Sequence, residues 1–120
     1  MKKRELGDYI QDILEALGEV EEFTAGMHFE DFVEDKKTVN AVVRSLEVIG
    51  EATKRIPDSL REKHSEIPWK RMAGMRDKLI HEYFGIDLEI VWEVVNTELP
   101  PIKPLIQKVL EDIENETKDQ

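Results

Sequence analysis

Val39-Asn40-Ala41-Val42-Val43-Arg44-Ser45-Leu46-Glu47-Val48-Ile49 decides the fold. Val39, Val42, Val43, Leu46 and Ile49 recur at steps of three and four, so a helix gathers them on one face. The spacing predicts a long helix from about Asp35 to Ile56. Pro57 stops it, because proline lacks the N–H that the next turn needs.

The same period extends in both directions. Upstream, Leu6, Ile10, Ile13, Leu14, Leu17 and Val20 line a first helix that Thr24-Ala25-Gly26 ends. Phe29, Phe32 and Val33 suggest a short helical turn between the two. Downstream, Asp58 or Ser59 is placed to cap a short helix through His64, and Ile67-Pro68 restarts the chain. The next helix is expected to run through Trp69, Met72, Met75, Leu79 and Ile80, with Gly85 marking its end. Asp87 is placed to cap a helix carrying Leu88, Val91, Trp92 and Val95, broken by Pro100-Pro101. Ile102, Leu105, Ile106, Val109, Leu110 and Ile113 form a final stripe. No segment alternates in the manner of a strand over more than a few residues. The expectation is all-α: one antiparallel bundle of four to five main helices over residues 1–116, with a frayed polar tail at 117–120.

Composition narrows the class. The chain has 120 residues with 27 acidic and 17 basic side chains, a formal net charge of −10, and no cysteine. Disulfides and thiolate chemistry are therefore absent, and a reducing cytoplasm fits. No apolar run approaches the roughly 20 residues that span a bilayer. Met1-Lys2-Lys3-Arg4-Glu5 is followed by no apolar run, so no signal peptide is expected.

Net negative charge repels phosphates and argues against nucleic acid at first sight. The distribution changes that. Residues 1–35 carry a net −8 and residues 79–120 a net −7, whereas 36–78 carry +5. The basic band is either a solvated surface tied up in intrachain ion pairs or a local anion-binding surface.

Three histidines could carry chemistry. His28 lies near Glu30 and Asp31, and His64 ends a short helix where the dipole favours a cation. Neither has a second ligand at metal-binding spacing. His81 differs: Arg76, Asp77, His81 and Tyr83 fall within eight residues. In a continuous helix Asp77 and His81 would share a face, which would set the imidazole tautomer and raise its basicity. Arg76 and His81 would point roughly 140° apart. They could serve one site only if the helix ends near His81 or a second copy completes the site. An imidazole can move a proton, a guanidinium can hold a phosphate, and a phenol can accept a transferred group. That set suffices for metal-free cleavage of RNA by its own 2′-hydroxyl. An Arg–Asp–His cluster capping a helix end is the plainer reading of the same residues.

The spacing of Arg76, His81 and Tyr83 resembles the R-x-x-x-x-H-x-Y motif of the HEPN superfamily. The chain is more closely similar to the HepT-like subfamily, whose members accompany minimal nucleotidyltransferases. Three blocks carry the match: Arg44 to Ala52, Ile67-Pro68-Trp69 leading into Ala73 to Phe84, and Gly85 to Trp92. The Leu99-Pro100-Pro101 break extends it over nearly the whole chain.

The resemblance implies a homodimer with the two motifs meeting at a cleft. It implies a cytoplasmic, metal-independent endoribonuclease that needs no cofactor and acts as a toxin on RNA. A minimal nucleotidyltransferase antitoxin would neutralise it by AMP transfer to Tyr83. Arg76 would stabilise the scissile phosphate, His81 would be the acid/base, and Asp77 would support them. Arg44 and Glu51 read mainly as packing and dimer contacts, with a site role secondary. Trp69, Trp92, Met72 and Met75 read as core, although a tryptophan could stack on a base. The alternative is a non-catalytic subunit that presents nucleotide to a nucleotidyltransferase, using the same residues to bind without breaking a bond.

Overall fold

The computed structural model describes residues 4–75, 77, 80–81 and 85–118. Three long helices organise it: α1 (Leu6–Thr24), α3 (Lys36–Lys54) and, last in the chain, α7 (Ile102–Lys118). Short elements fill the intervals: α2 (Phe29–Glu34), α4 (Asp58–Lys63), α5 (Trp69–Ala73) and α6 (Leu88–Glu93). A π-helical segment, Val94–Glu98, extends α6. The all-α expectation holds, with one addition. A two-residue ladder pairs β1 (Ile80–His81) with β2 (Gly85–Ile86), antiparallel.

Helix α1 is central, and α3 and α7 both run antiparallel to it. Ser45 Oγ in α3 donates to Glu19 Oε2 near the end of α1, 3.1 Å away. Lys103 Nζ at the start of α7 meets Glu21 Oε2 at 2.8 Å. At the other end, a Cβ on Gly7 would lie 3.8 Å from Ile113. The stripes predicted from sequence face this seam. Ile10, Ile13, Leu17 and Val20 of α1, Val42, Leu46 and Ile49 of α3, and Ile106 and Val109 of α7 are all buried. Each such side chain contributes roughly 1.5–3 kcal/mol by leaving water. The helices therefore derive their stability from packing more than from intrinsic propensity.

Caps set the boundaries. Asp35 accepts a hydrogen bond from the Thr38 N–H at 3.1 Å, which starts α3. Asp87 accepts from the Ile90 N–H at 3.2 Å, starting α6 as expected. The expected cap at Asp58 or Ser59 is corrected. Pro57 is the cap residue and Asp58 the first residue of α4, where its charge favours the dipole. Arg61 in α4 turns back to close α3, donating from Nη2 to the Thr53 carbonyl at 2.8 Å and from Nε to Ile56 at 3.1 Å.

Gly26 ends the first helix with φ +76°. A Cβ there would meet nothing within 4 Å, so only the backbone conformation opposes a side chain. Gly26→Ala should lower stability by roughly 1–2 kcal/mol, read as a downward shift of the denaturant midpoint at unchanged slope.

The expected single helix from Trp69 to Ile80 is also corrected. Helix α5 ends at Ala73. Met75 and Asp77 are again helical, but Ile80 and His81 are extended and pair with Ile86 and Gly85. The segment is rich in β-branched and aromatic types with a glycine opposite, which suits a pleated pair better than a helix. Before Pro100, the helical hydrogen bonding loosens. The Leu99 N–H reaches back five residues to Val94 O at 3.0 Å, absorbing the break that the two prolines impose.

Candidate functional site

Asp77 is exposed. His81 is placed by its backbone, opposite Gly85 in the ladder. With extended backbone at His81, the shared helix face of Asp77 and His81 does not exist. The 140° divergence of Arg76 from His81 is likewise a property of a helix that is not continuous here. Arg76 and Tyr83 lie outside the described residues.

The secondary candidates Arg44 and Glu51 are brought together. Both are exposed on α3 and line a cleft of about 210 Å³ against the start of α1, with Arg4, Tyr9, Asp12 and Arg55. Arg4 bridges Asp12 at 2.8 Å and lies over the Tyr9 ring, 4.9 Å from its centroid. Arg44 sits 3.8 Å from Glu47, and Glu51 3.5 Å from Lys54. Asp77 is not among the residues lining this cleft.

The basic band resolves into two sets. Lys63 bridges Glu116 at 2.5 Å, Arg71 bridges Glu98 at 2.6 Å, and Arg61 is spent on capping α3. Lys36, Lys37, Arg55 and Lys70 are exposed and enter no ion pair among the described residues. The Glu116 hydrogen bond raises Lys63 above the ordinary lysine range, and the same bond lowers Glu116. Both side chains are more than half exposed, so salt screens the bridge.

Asp35 titrates below the usual carboxylate range, chiefly because the Thr38 backbone N–H bonds its charged form. A depressed folded-state value means stability that is present above the ordinary range and lost as pH falls through the lowered one. Below about pH 4 the melting temperature should therefore fall more steeply in the native chain than in Asp35→Asn, which keeps a capping oxygen without the charge. Parallel curves for the two would show that this carboxylate does not titrate between folded and unfolded states.

The other sequence candidates are structural. His28 is the residue before α2, its N–H donating to Asp31 at 2.9 Å. His64 is buried, and its carbonyl accepts from Trp69 Nε1 at 3.0 Å. Its ring nitrogens face Glu66 at 3.9 Å and Asp112 at 4.0 Å. Trp69, Met72 and Met75 are buried, as their spacing predicts. Trp92 is half-buried against Phe32 and Phe29, with centroids at 5.0 and 6.2 Å, and so fastens α6 to α2. Sequence reading missed this aromatic cluster and the Arg61 cap, since neither has a local signature. Among the described residues, no group of three or more His, Asp or Glu side chains could hold a metal ion. No helix there is long and apolar enough to cross a membrane.

A bundle of antiparallel helices, with its Arg–His–Tyr segment carried between α5 and α6, defines a HEPN-type helical domain. The family model described as "Ribonuclease HepT-like" matches residues 13–109, a span that includes all six candidate residues. The chain is 48% identical over 119 residues to "Putative RNase MJ1216" of Methanocaldococcus jannaschii, covering 99% of this chain and 98% of that one. It is 51% identical over 107 residues to "Probable ribonuclease HepT" of Thermococcus cleftensis, covering 89% and 97%. A relative from Caldanaerobacter subterraneus, "Putative RNase TTE0752", is 48% identical over 103 residues, covering 86% and 92%. No solved structure matches. The chain belongs to the HepT-like ribonuclease family.

Proposed function

We propose that this chain is a metal-independent endoribonuclease, the toxin of a two-component toxin–antitoxin pair, acting at a cleft between two protomers. The observation that carries the reading is the intact Arg76–His81–Tyr83 spacing inside the family match. In the cleavage step the 2′ oxygen bonds to phosphorus and the bond to the next nucleotide's 5′ oxygen breaks. The products are a 2′,3′-cyclic phosphate and a 5′-hydroxyl. His81 takes the proton from the attacking hydroxyl or delivers one to the leaving oxygen. A dimer brings two histidines to the cleft, so one can act as base and the other as acid. Arg76 holds the phosphate through its planar fork and offsets the charge added in the transition state, with Asp77 orienting the pair.

Control would act through Tyr83. Its phenol oxygen attacks the α-phosphorus of ATP held by a minimal nucleotidyltransferase, pyrophosphate leaves, and an AMP ester caps the site. Extra bulk and negative charge beside Arg76 would then exclude the RNA phosphate. The exposed Lys36, Lys37, Arg55 and Lys70 supply cations for the backbone, so KM should rise with salt.

The test is incubation of the purified protein with RNA in excess EDTA, beside the same chain pre-treated with the nucleotidyltransferase and ATP. Cleavage in EDTA that stops after one AMP is added, and continues in Tyr83→Phe similarly treated, is the expected result. Cleavage that requires added metal, or binding of RNA without turnover, would favour the nucleotide-presenting subunit instead.

A further inference from the structure

The cleft between α1 and α3 gathers positive charge on a chain whose formal net charge is −10. Three guanidiniums, Arg4, Arg44 and Arg55, line it against two carboxylates, Asp12 and Glu51. The pairing deepens that imbalance. Asp12 is bridged by Arg4 at 2.8 Å. Glu51 is held at 3.5 Å by Lys54, which does not line the cleft. Both carboxylates are thus matched without Arg44 or Arg55. Arg44 approaches Glu47 at 3.8 Å, too far for a hydrogen bond, and its side chain is 74% exposed. Arg55 is exposed and enters no ion pair among the described residues. The guanidinium fork that each presents matches a pair of phosphate oxygens.

Their spacing selects the kind of anion. Arg55 caps α3 eleven positions after Arg44, which returns it almost to the same face of the helix. Three turns separate the two, roughly 16 Å along the axis. One small anion cannot engage both forks fully, whereas a chain of phosphates can. Val48 and Ala52 lie between them in the sequence and line the same cleft with Tyr9 of α1. These three offer apolar surface on which sugar carbons can pack. Arg4 already covers one face of the Tyr9 ring, 4.9 Å from its centroid, which leaves little room to sandwich a base. At about 210 Å³ the cleft is smaller than a pocket that encloses a whole ligand, and it suits a strand lying across it. We infer that the α1–α3 cleft holds the backbone of a single RNA strand, with one phosphate at Arg44 and another at Arg55. Such contacts fix the register of the strand without reading its sequence. This rests on the ribonuclease reading above.

A short single-stranded RNA methylated at every 2′ oxygen serves as the probe. It cannot be cut by its own 2′-hydroxyl, so binding is read without turnover. Its affinity for the full chain is measured by fluorescence anisotropy in EDTA over a range of salt. Arg44→Gln and Arg55→Gln should each flatten the slope of log affinity against log salt by about 0.7, the value for one phosphate contact to a single strand. Both arginines are exposed, so neither replacement opens the core. Lys108→Gln, at an exposed position of α7 outside the cleft, should leave the slope nearly unchanged. Glu51→Gln should tighten binding, because it removes a carboxylate beside the strand; a purely structural role for Glu51 would not do so.

Equal flattening by Lys108→Gln would overturn the inference, since the attraction would then be spread over the whole surface. Unchanged slopes in both arginine variants, or no binding of the probe, would do the same. Sedimentation of each variant tests the other occupant. A dimer that either arginine substitution splits would make the cleft a contact between two copies and overturn the RNA assignment. Binding that depends on Arg44 and Arg55 in a chain that never cleaves unmodified RNA would sink the ribonuclease reading alone. Cleavage of unmodified RNA with KM unchanged in both arginine variants would sink the cleft alone.

Discussion

Replacing Arg76 or His81 by alanine is expected to slow RNA cleavage by roughly 10²–10⁴-fold, the range for removing a positioned acid/base or a charge-stabilising group. The measurement is single-turnover cleavage in EDTA, with far-UV circular dichroism to show that each variant is folded. The two losses should not multiply. With His81 gone, the phosphate that Arg76 stabilises barely reaches its transition state, so the double variant should resemble the worse single one. Arg76→Lys should recover only part of the rate, because an ammonium keeps the charge but not the two-pronged geometry. His81 also predicts a rate that depends on pH. Rates within tenfold of the native chain in both alanine variants would refute the assignment. A profile flat from about pH 5 to 9, with chemistry rate-limiting, would remove His81 from proton transfer.

The second large effect concerns stability. Leu46 is fully buried where α3 packs on α1, the most extensive helix pair among the described residues. Leu46→Ala removes three carbons from a seam closed on both sides by helices that cannot collapse independently. The expected cost is roughly 2–5 kcal/mol from lost transfer energy and the residual cavity. For a chain this size that lowers the melting temperature by roughly 10–20 °C. Leu105→Ala, at a half-buried position on α7, should cost markedly less, because water can refill the space. Thermal unfolding of both variants measures the difference. Equal shifts would mean that the α1–α3 seam is not the core that holds the bundle.

The comparison of residues with structure is instructive element by element. The stripes at Ile10–Val20, Val39–Ile49 and Ile102–Val109 were legible because helix period and burial agree locally. Gly26 and Asp87 were legible as punctuation for the same reason: a positive φ and a side-chain cap are settled within four residues. The segment from Trp69 to Ile80 was misread as one helix. Its apolar spacing fits a helix, but Ile80 and His81 take their backbone partners from Ile86 and Gly85, which lie beyond any helical window. Asp58 or Ser59 was read as the cap, where Pro57 holds that position.

For the candidate site, residue identity and spacing were enough to nominate Arg76, Asp77, His81 and Tyr83, because the chemistry of a motif is written in its side chains. Spacing could not say which charges in the basic band were available. Lys63 is matched by Glu116, 53 residues away, and Arg71 by Glu98. These partners meet only after α4, α5 and α7 have packed.

The amino-acid sequence by itself determined an all-helical bundle, the family and the cluster of reactive side chains. These depend on periodicity, punctuation and composition over short windows. Tertiary structure alone decided that His64 is a buried joint and that Lys63 and Arg71 of the basic band are matched by carboxylates far along the chain. It also decided that Arg44 and Glu51 share a cleft with α1. Each of those arises from groups far apart in the chain. Their energies depend on distance and burial, which exist only once the helices have assembled.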